Sequence, residues 1–478
     1  MSQQWIYTIV YLAWLAGAAC FVLGLHRMNS PATARDGNRL SAAGMAVAVG
    51  ATLIYLITRE GGLSGVALLI IVVGFLIGGG AGLQTARTVK MTAMPQLVSL
   101  FNAVGGGAAA LVAIDDFIRL NSGAPVDTTI FVVLGALIGS VTFTGSLIAG
   151  GKLQGLIAGK PIYVPGGQVV TIAIAIVAVL GTVALVLGAA GVFALGSAAT
   201  LALLFLGVLA GLTFGVTMVL PIGGADMPVV ISLLNSFTGT AAAMAGFVLG
   251  NPVLIISGAL VGASGAILTK LMADAMNRSV LNIMVGGFGG GDEAAGAVAG
   301  AGGTVREIGA DDVAIQLAYA QSVIIVPGYG LAVAQAQHAV RELAELLESK
   351  GVDVKYAIHP VAGRMPGHMN VLLAEANVPY PQLKEMDEIN PEFDRADVAL
   401  VIGANDVTNP AARRPGSPVS GMPILDVDHA KSIVVIKRSM GKGYAGIDNE
   451  LYSDPKTGML FADAKDGLAA LTAAVKAL

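Results

Sequence analysis

Apolar residues run in nine long stretches through the first 290 positions, at about 5–25, 40–58, 66–83, 94–114, 128–150, 168–190, 195–219, 228–250 and 252–273. Polar or Gly/Pro punctuation separates them, and each approaches the roughly 20 residues that a helix needs to cross the hydrocarbon layer. Nine membrane-spanning helices are predicted. After Gly291 the pattern changes to short β-branched runs alternating with helical spacing. Ser322–Pro327 reads as a buried parallel strand, Ala336, Val340, Leu343 and Leu347 recur on one helix face ending at Gly351, and Val352–Ile358 reads as a second strand. Further strands are predicted at Asp397–Ile402, Met422–Asp426 and Ser432–Lys437, with helices between and at the C-terminus. The fold class is a polytopic α-helical membrane domain followed by an α/β domain with a parallel sheet.

Composition sharpens the division. The 478 residues are 55% hydrophobic and 12% charged, against roughly 25% charged in a soluble globular chain. Positions 1–290 hold 11 Lys/Arg and 7 Asp/Glu, whereas the remaining 188 hold 16 and 24. The overall net charge of −4 gives no sign of nucleic-acid binding. Cys20 is the single cysteine, so no intramolecular disulfide forms. Nine of the eighteen residues from Gly286 to Gly303 are glycine, the composition of a flexible linker. The expected domains are therefore 1–285, a linker at 286–303, and 304–478. No Lys or Arg precedes the first apolar stretch, which argues for an anchor and against a cleaved signal. Lys and Arg cluster after the first, third, fifth and ninth stretches, which places the N-terminus outside and the polar domain in the cytoplasm.

The chemistry-bearing pattern in the polar half is a strand, a glycine turn and a helix: Pro327-Gly328-Tyr329-Gly330-Leu-Ala-Val333. Two glycines make the tight turn and close backbone approach of a dinucleotide site, and Val333 takes the third position, normally Gly or Ala for helix-on-strand packing. A Rossmann-like dinucleotide domain is expected. An NAD site usually ends its second strand in an acid; here that strand ends in His359-Pro360, and Ser432–Lys437 runs into the cations Lys437 and Arg438. That favours NADP, since paired cations suit a 2′-phosphate, although the same cations also fit a solvated strand end. Asp406, in Gly403-Ala-Asn405-Asp406, sits where ligands bind in such sheets and is either a turn former or a cofactor contact. Arg364 is either a solvated loop cation or a pyrophosphate clamp. No Walker lysine and no Cys/His zinc cluster is present in the sequence, and no metal is expected.

In the membrane half, Gly258 and Gly262 have the spacing of close helix packing. Asp226, in Pro221-Ile-Gly-Gly-Ala-Asp226-Met-Pro228, either caps the next helix or serves function, and Asn235 either bonds a neighbouring helix or holds water in a proton path. No histidine lies deep in a predicted span.

The nine spans together with Pro221–Pro228, Pro327–Gln337, His359–Asn370, Gly403–Asp406 and Lys437–Gly446 resemble the β subunit of proton-translocating NAD(P) transhydrogenase over essentially the whole chain. The resemblance implies an enzyme, an oxidoreductase and translocase of a bacterial inner membrane, in which hydride passes from NADH on a partner α subunit to NADP⁺ on this chain while protons move inward, generating NADPH. It implies two copies each of α and β in the bilayer, with NADP(H) here and NAD(H) on the partner. It also implies that Gly328, Tyr329, Gly330 and Val333 face the pyrophosphate, that Arg364 contacts the cofactor, and that Lys437 and Arg438 hold the 2′-phosphate. The resemblance further implies that Asp406 lies near the nicotinamide and takes part in coupling, that Gly403 and Asn405 bind the cofactor, that Gly443 and Tyr444 belong to a loop closing over it, and that Asp226 and Asn235 join the proton path and its junction with the nucleotide domain. Some members carry a channel histidine where this chain has Asn102; the titrating group is then expected on a partner helix. The competing class is a transporter or channel gated by a nucleotide-sensing domain, which should show paired internal repeats; none is evident.

Overall fold

The structure is a computed structural model describing residues 3–59, 62–120, 125–159, 161–163, 165–224, 226–277, 279–286, 305–363, 367–415, 417, 419–441, 443 and 447–478. The expected linker, apart from Gly286, lies outside the described residues, as do Arg364 and Tyr444. The chain divides into two compact units, one of Met1–Gly224 with Val230–Thr269, the other of Ala225–Val229 with Lys270–Leu478.

Among the described residues nine helices are long and apolar enough to span a membrane, and apart from the start of α8 and the end of α9 they lie in the first unit: α1 Gln3–Arg27, α2 Pro31–Thr58, α3 Gly65–Thr88, α4 Met94–Leu120, α5 Val126–Leu153, α6 Gly167–Ala189, α7 Ser197–Val219, α8 Met227–Leu249 and α9 Pro252–Ala275. The count and order follow the apolar pattern. α2 starts nine residues before the expected position 40 because Ser30 precedes Pro31 at the first helical position, and Arg35, Asp36 and Arg39 continue the helix as a polar extension. With no hydrophobic force between helices in lipid, small residues supply the packing. A Cβ on Gly106 of α4 would lie 2.7 Å from Thr142 Cβ of α5, and one on Gly258 of α9 would lie 2.7 Å from Gly239 O of α8. Gly258 and Gly262 therefore pack helix on helix. Ser236 Oγ of α8 donates to Gly262 O at 2.6 Å, closing the same seam.

The second unit contains α10 Val280–Gly286, α11 Ala310–Ala318, β1 Ser322–Pro327, α12 Tyr329–Val333, α13 Gln337–Ser349, β2 Asp353–Ile358, α14 His368–Glu375, β3 Leu383–Glu385, α15 Met386–Ile389, β4 Val398–Ile402, β5 Ser432–Lys437, β6 Thr457–Phe461 and α16 Ala464–Ala477. Its six strands lie in the order β3-β2-β1-β4-β5-β6, all parallel. β1 and β4 pair from Val323↔Val398 to Pro327↔Ile402. The core strands β1, β4 and β5 are buried on both faces, which is why they read as unbroken aliphatic runs.

Two expectations change. Met422–Asp426 has no regular secondary structure and forms no strand: Pro423 has no N–H to give a ladder, Asn390 Nδ2 donates to Ile424 O (3.0 Å), and Leu425 N donates to Val407 O (2.9 Å). The glycine turn does not open one continuous helix. α12 is only five residues long, Gln335 takes a left-handed φ of +51°, and Ala336 caps α13 rather than lying within it. Short β3 and β6, at the sheet edges, were not anticipated.

Candidate functional site

The order of the sheet reverses direction between β1 and β4, and the loops leaving these strands meet at their carboxyl ends, the position at which ligands bind in open parallel sheets. Gly328 N donates to Ile402 O (2.9 Å), and Gly330 N donates to Gly403 O (3.0 Å). Gly403 lies at φ +65°, and a Cβ on Gly330 would lie 2.6 Å from Gly403 Cα. Only glycine fits this crossing of two backbones. The amides of Gly328 and Gly330 are already engaged in joining the loops, so these glycines shape the cradle rather than donate to a ligand. Val333 is exposed while Leu331 and Ala332 are buried. The departure from Gly or Ala at Val333 therefore does not touch helix-on-strand packing.

Around this crossing the structure gathers several of the residues singled out in the sequence. Tyr329 is half-buried, with its ring centroid 6.3 Å from that of the buried His368. Asn405 and Asp406 follow Gly403 in the next turn, and the Oδ1 of Asn405 is buried without a hydrogen bond among the described residues. A Cβ on Gly443 would lie 2.6 Å from the Asp406 carboxylate carbon, so the backbone at Gly443 lies directly against Asp406. Lys437, at the end of β5, donates from Nζ to Gly441 O (2.5 Å). Burial lowers its pKa, offset in part by the negative charges of Asp406 and Asp448. Arg438 points into solvent.

Three anchoring side chains were missed in the sequence. Asn449 donates to Asn405 O (2.9 Å) and Thr408 Oγ1 (3.3 Å), while Asn409 donates to Asp448 O (3.2 Å). Tyr452 donates to Ala404 O (3.1 Å). Polar residues in loops carry no periodic signal, and only the fold brings these together. His359 is 1% exposed; its Nε2 is 2.8 Å from Pro423 O and its Nδ1 accepts from Val361 N at 3.2 Å, so Nε2 carries the proton. Burial lowers its pKa to about 4, with the Pro423 bond opposing. The end of β2 is thus closed by a neutral imidazole, not an acid. Asp426, Asp428 and His429 bring possible metal-ligand atoms together, but Arg413 occupies both carboxylates, at 2.5 Å from Asp426 and 2.6 Å from Asp428.

In the first unit, Asn102 of α4 is 5% exposed and donates from Nδ2 to Ile231 O of α8 (3.3 Å); Thr238 Oγ1 of α8 reaches Asn102 O (3.3 Å). Asn235 is half-buried and lies between Ile231 and Thr238 at helical spacing, on the same face of α8. The two amides thus share one level of the helix seam. Asp226 is the half-buried residue directly before α8. Lys152, one of the cations after the fifth apolar stretch, is buried at the end of α5, donating to Leu220 O (2.5 Å) and Ile222 O (2.7 Å).

A doubly wound parallel sheet with two crossed glycine loops at its switch point, joined in one chain to nine membrane-length helices, defines a membrane protein with a dinucleotide-type domain. The family model described as NAD(P) transhydrogenase beta subunit matches residues 10–474. Two curated proteins, both called NAD(P) transhydrogenase subunit beta, one from Rhodospirillum rubrum and one from a named strain of that species, are each 49% identical over 473 residues, covering 96% of this chain and 97% of their own length. The chain belongs to the NAD(P) transhydrogenase beta subunit family.

Proposed function

We propose that this chain is the NADP(H)-binding and proton-conducting subunit of a transhydrogenase, working with an α subunit that carries NAD(H), in an assembly of two copies of each. The observation that carries the reading is the meeting of the Gly328–Gly330 and Gly403–Asp406 loops at the switch point of the sheet. The features fit a dinucleotide: a cradle that Cβ atoms would fill, a buried Asn405 oxygen without a hydrogen bond among the described residues, and a cation at the end of β5. NADP(H), when bound, supplies the hydride chemistry, which needs no side-chain acid or base. Gly328, Tyr329, Gly330 and Val333 form the pyrophosphate wall, with Arg364 as a further contact. Lys437 and Arg438 meet the 2′-phosphate as charge-assisted donors. Asn405 and Asp406 orient the nicotinamide end, and the segment of Gly443 and Tyr444 covers it.

In the bilayer, Asn102 and Asn235 hold and orient water, since an amide does not titrate at physiological pH. The titrating group belongs to a partner helix, and Asp226 links the path to the nucleotide domain. Lys and Arg in alternate loops support an N-terminus outside and a cytoplasmic nucleotide domain, and the likeness to the transhydrogenase subunits supports a bacterial inner membrane location. The linker at 286–303, between domains at 1–285 and 304–478, permits the motion that ties hydride transfer to inward proton movement. The test is hydride exchange in membranes containing this chain and its NAD-binding partner, with and without a proton gradient. Exchange that responds to the gradient is expected. Exchange indifferent to it removes the pump, and no exchange restores the nucleotide-gated transporter.

A further inference from the structure

Tyr452 lies in neither the glycine turns nor the cationic strand end, yet it touches both. It is 2% exposed. Lys437 Nζ sits 4.6 Å from the centre of its ring and 3.5 Å from its hydroxyl oxygen, and the hydroxyl donates to Ala404 O at 3.1 Å. Ala404 is the residue between Gly403, which crosses Gly330, and Asn405, which Asn449 fixes. One phenol therefore joins the end of β5 to the loop leaving β4.

We propose that Tyr452 is a positioning residue that sets the preference of this site for a 2′-phosphorylated nucleotide. Its ring face holds the Lys437 ammonium by a cation–π contact in a partly desolvated corner, where such a contact is strongest. Its hydroxyl ties that corner to the Ala404 carbonyl, so that the cation keeps one place instead of sampling the rotamers of a free lysine. A cation fixed before the ligand arrives binds a phosphate without ordering its own four-carbon stem. The same ammonium donates to Gly441 O, the one carbonyl that a phosphate would replace. The inference rests on the reading that Lys437 meets the 2′-phosphate.

The test uses the assembled enzyme with its α partner and two competitors of NADPH: adenosine 2′-monophosphate, which carries the recognised phosphate, and adenosine 5′-monophosphate, which does not. Tyr452→Leu should raise the inhibition constant of the 2′-phosphate about tenfold, and Tyr452→Phe, which keeps the ring, about threefold. The 5′-phosphate should be unaffected by either. Should the leucine variant not assemble, the phenylalanine variant decides alone. Equal weakening of both competitors, or of neither, overturns the proposal. Lys437→Gln is measured in parallel: if it leaves the 2′-phosphate unchanged, the reading of Lys437 falls and this inference with it. If it weakens that ligand and no Tyr452 variant does, only the role of Tyr452 falls.

Discussion

The ammonium of Lys152, at the end of α5, donates 2.7 Å to the carbonyl of Ile222, beyond the end of α7, and 2.5 Å to that of Leu220. The last carbonyls of a helix have no partners of their own and carry partial negative charge. Here the buried cation serves the Leu220 carbonyl at the C-cap, which also accepts from Ile162 N at 3.2 Å, and the Ile222 carbonyl beyond it. Lys152→Met keeps the length of the stem and removes the donor, and should destabilise the chain by about 2–3 kcal/mol. Lys152→Arg should recover part of this. Thermal melting in detergent checks the order wild type, Arg, Met, and a Met variant as stable as wild type sinks the argument.

The crossing of Gly330 and Gly403 makes a second expectation. Gly403→Ala places a side chain at φ +65° and against the backbone of Gly330 at once. Left-handed backbone alone costs about 1–2 kcal/mol, and the clash adds to it, so the variant should lose about 3 kcal/mol or more. Gly330→Ala should act through the same contact. Both should also weaken NADPH binding, read as a rise in KM, whereas Gly351→Ala, where a Cβ meets open space at φ +90°, should show the backbone cost without the loss of binding.

His359 predicts a pH dependence. Its pKa is lowered to about 4 by burial, against about 6.5 in an unfolded chain. Above pH 6.5 both states are neutral and the stability is complete; as the pH falls from there towards 4 the unfolded state takes up a proton that the folded state refuses. Stability drops across that window by up to about 3 kcal/mol. His359→Gln should flatten this part of the melting profile, and an unchanged profile in the variant would show that the acid sensitivity comes from elsewhere.

Span count, the three core strands of the sheet and the glycine turn were legible in the sequence because each is a run of one residue type, dictated by lipid or by burial on both faces. Edge strand β3 escaped because it is only three residues long and β6 because Thr457-Gly458 opens it without the unbroken aliphatic run of the core strands, and Met422–Asp426 misled because its apolar residues resemble a short strand while Pro423 lacks an N–H and Asn390 takes the Ile424 carbonyl. In the site, glycines and cations announced themselves by type. Tyr452, Asn449 and Lys152 did not: each works through backbone carbonyls distant in sequence, Ala404 being 48 residues from Tyr452 and Ile222 70 from Lys152, and carbonyls have no sequence signature.

Asn102 supplies the last prediction. Its Nδ2 donates to Ile231 O at 3.3 Å and its backbone carbonyl accepts from Thr238 Oγ1, so it bridges α4 and α8, the seam along which the proton path is proposed. An imidazole can take up and release a proton in the physiological range and an amide cannot. Asn102→His, combined with removal of the titrating side chain from the partner's helix, should restore proton pumping that the partner's change alone abolishes. Asn102→Ala with the partner intact should slow pumping more than hydride transfer, because it removes an orienting group and leaves the nucleotide domain untouched. Both rates are read in the same reconstituted vesicles, one by an entrapped pH dye and one by NADPH absorbance. Pumping that depends on neither position would place the proton path on other residues.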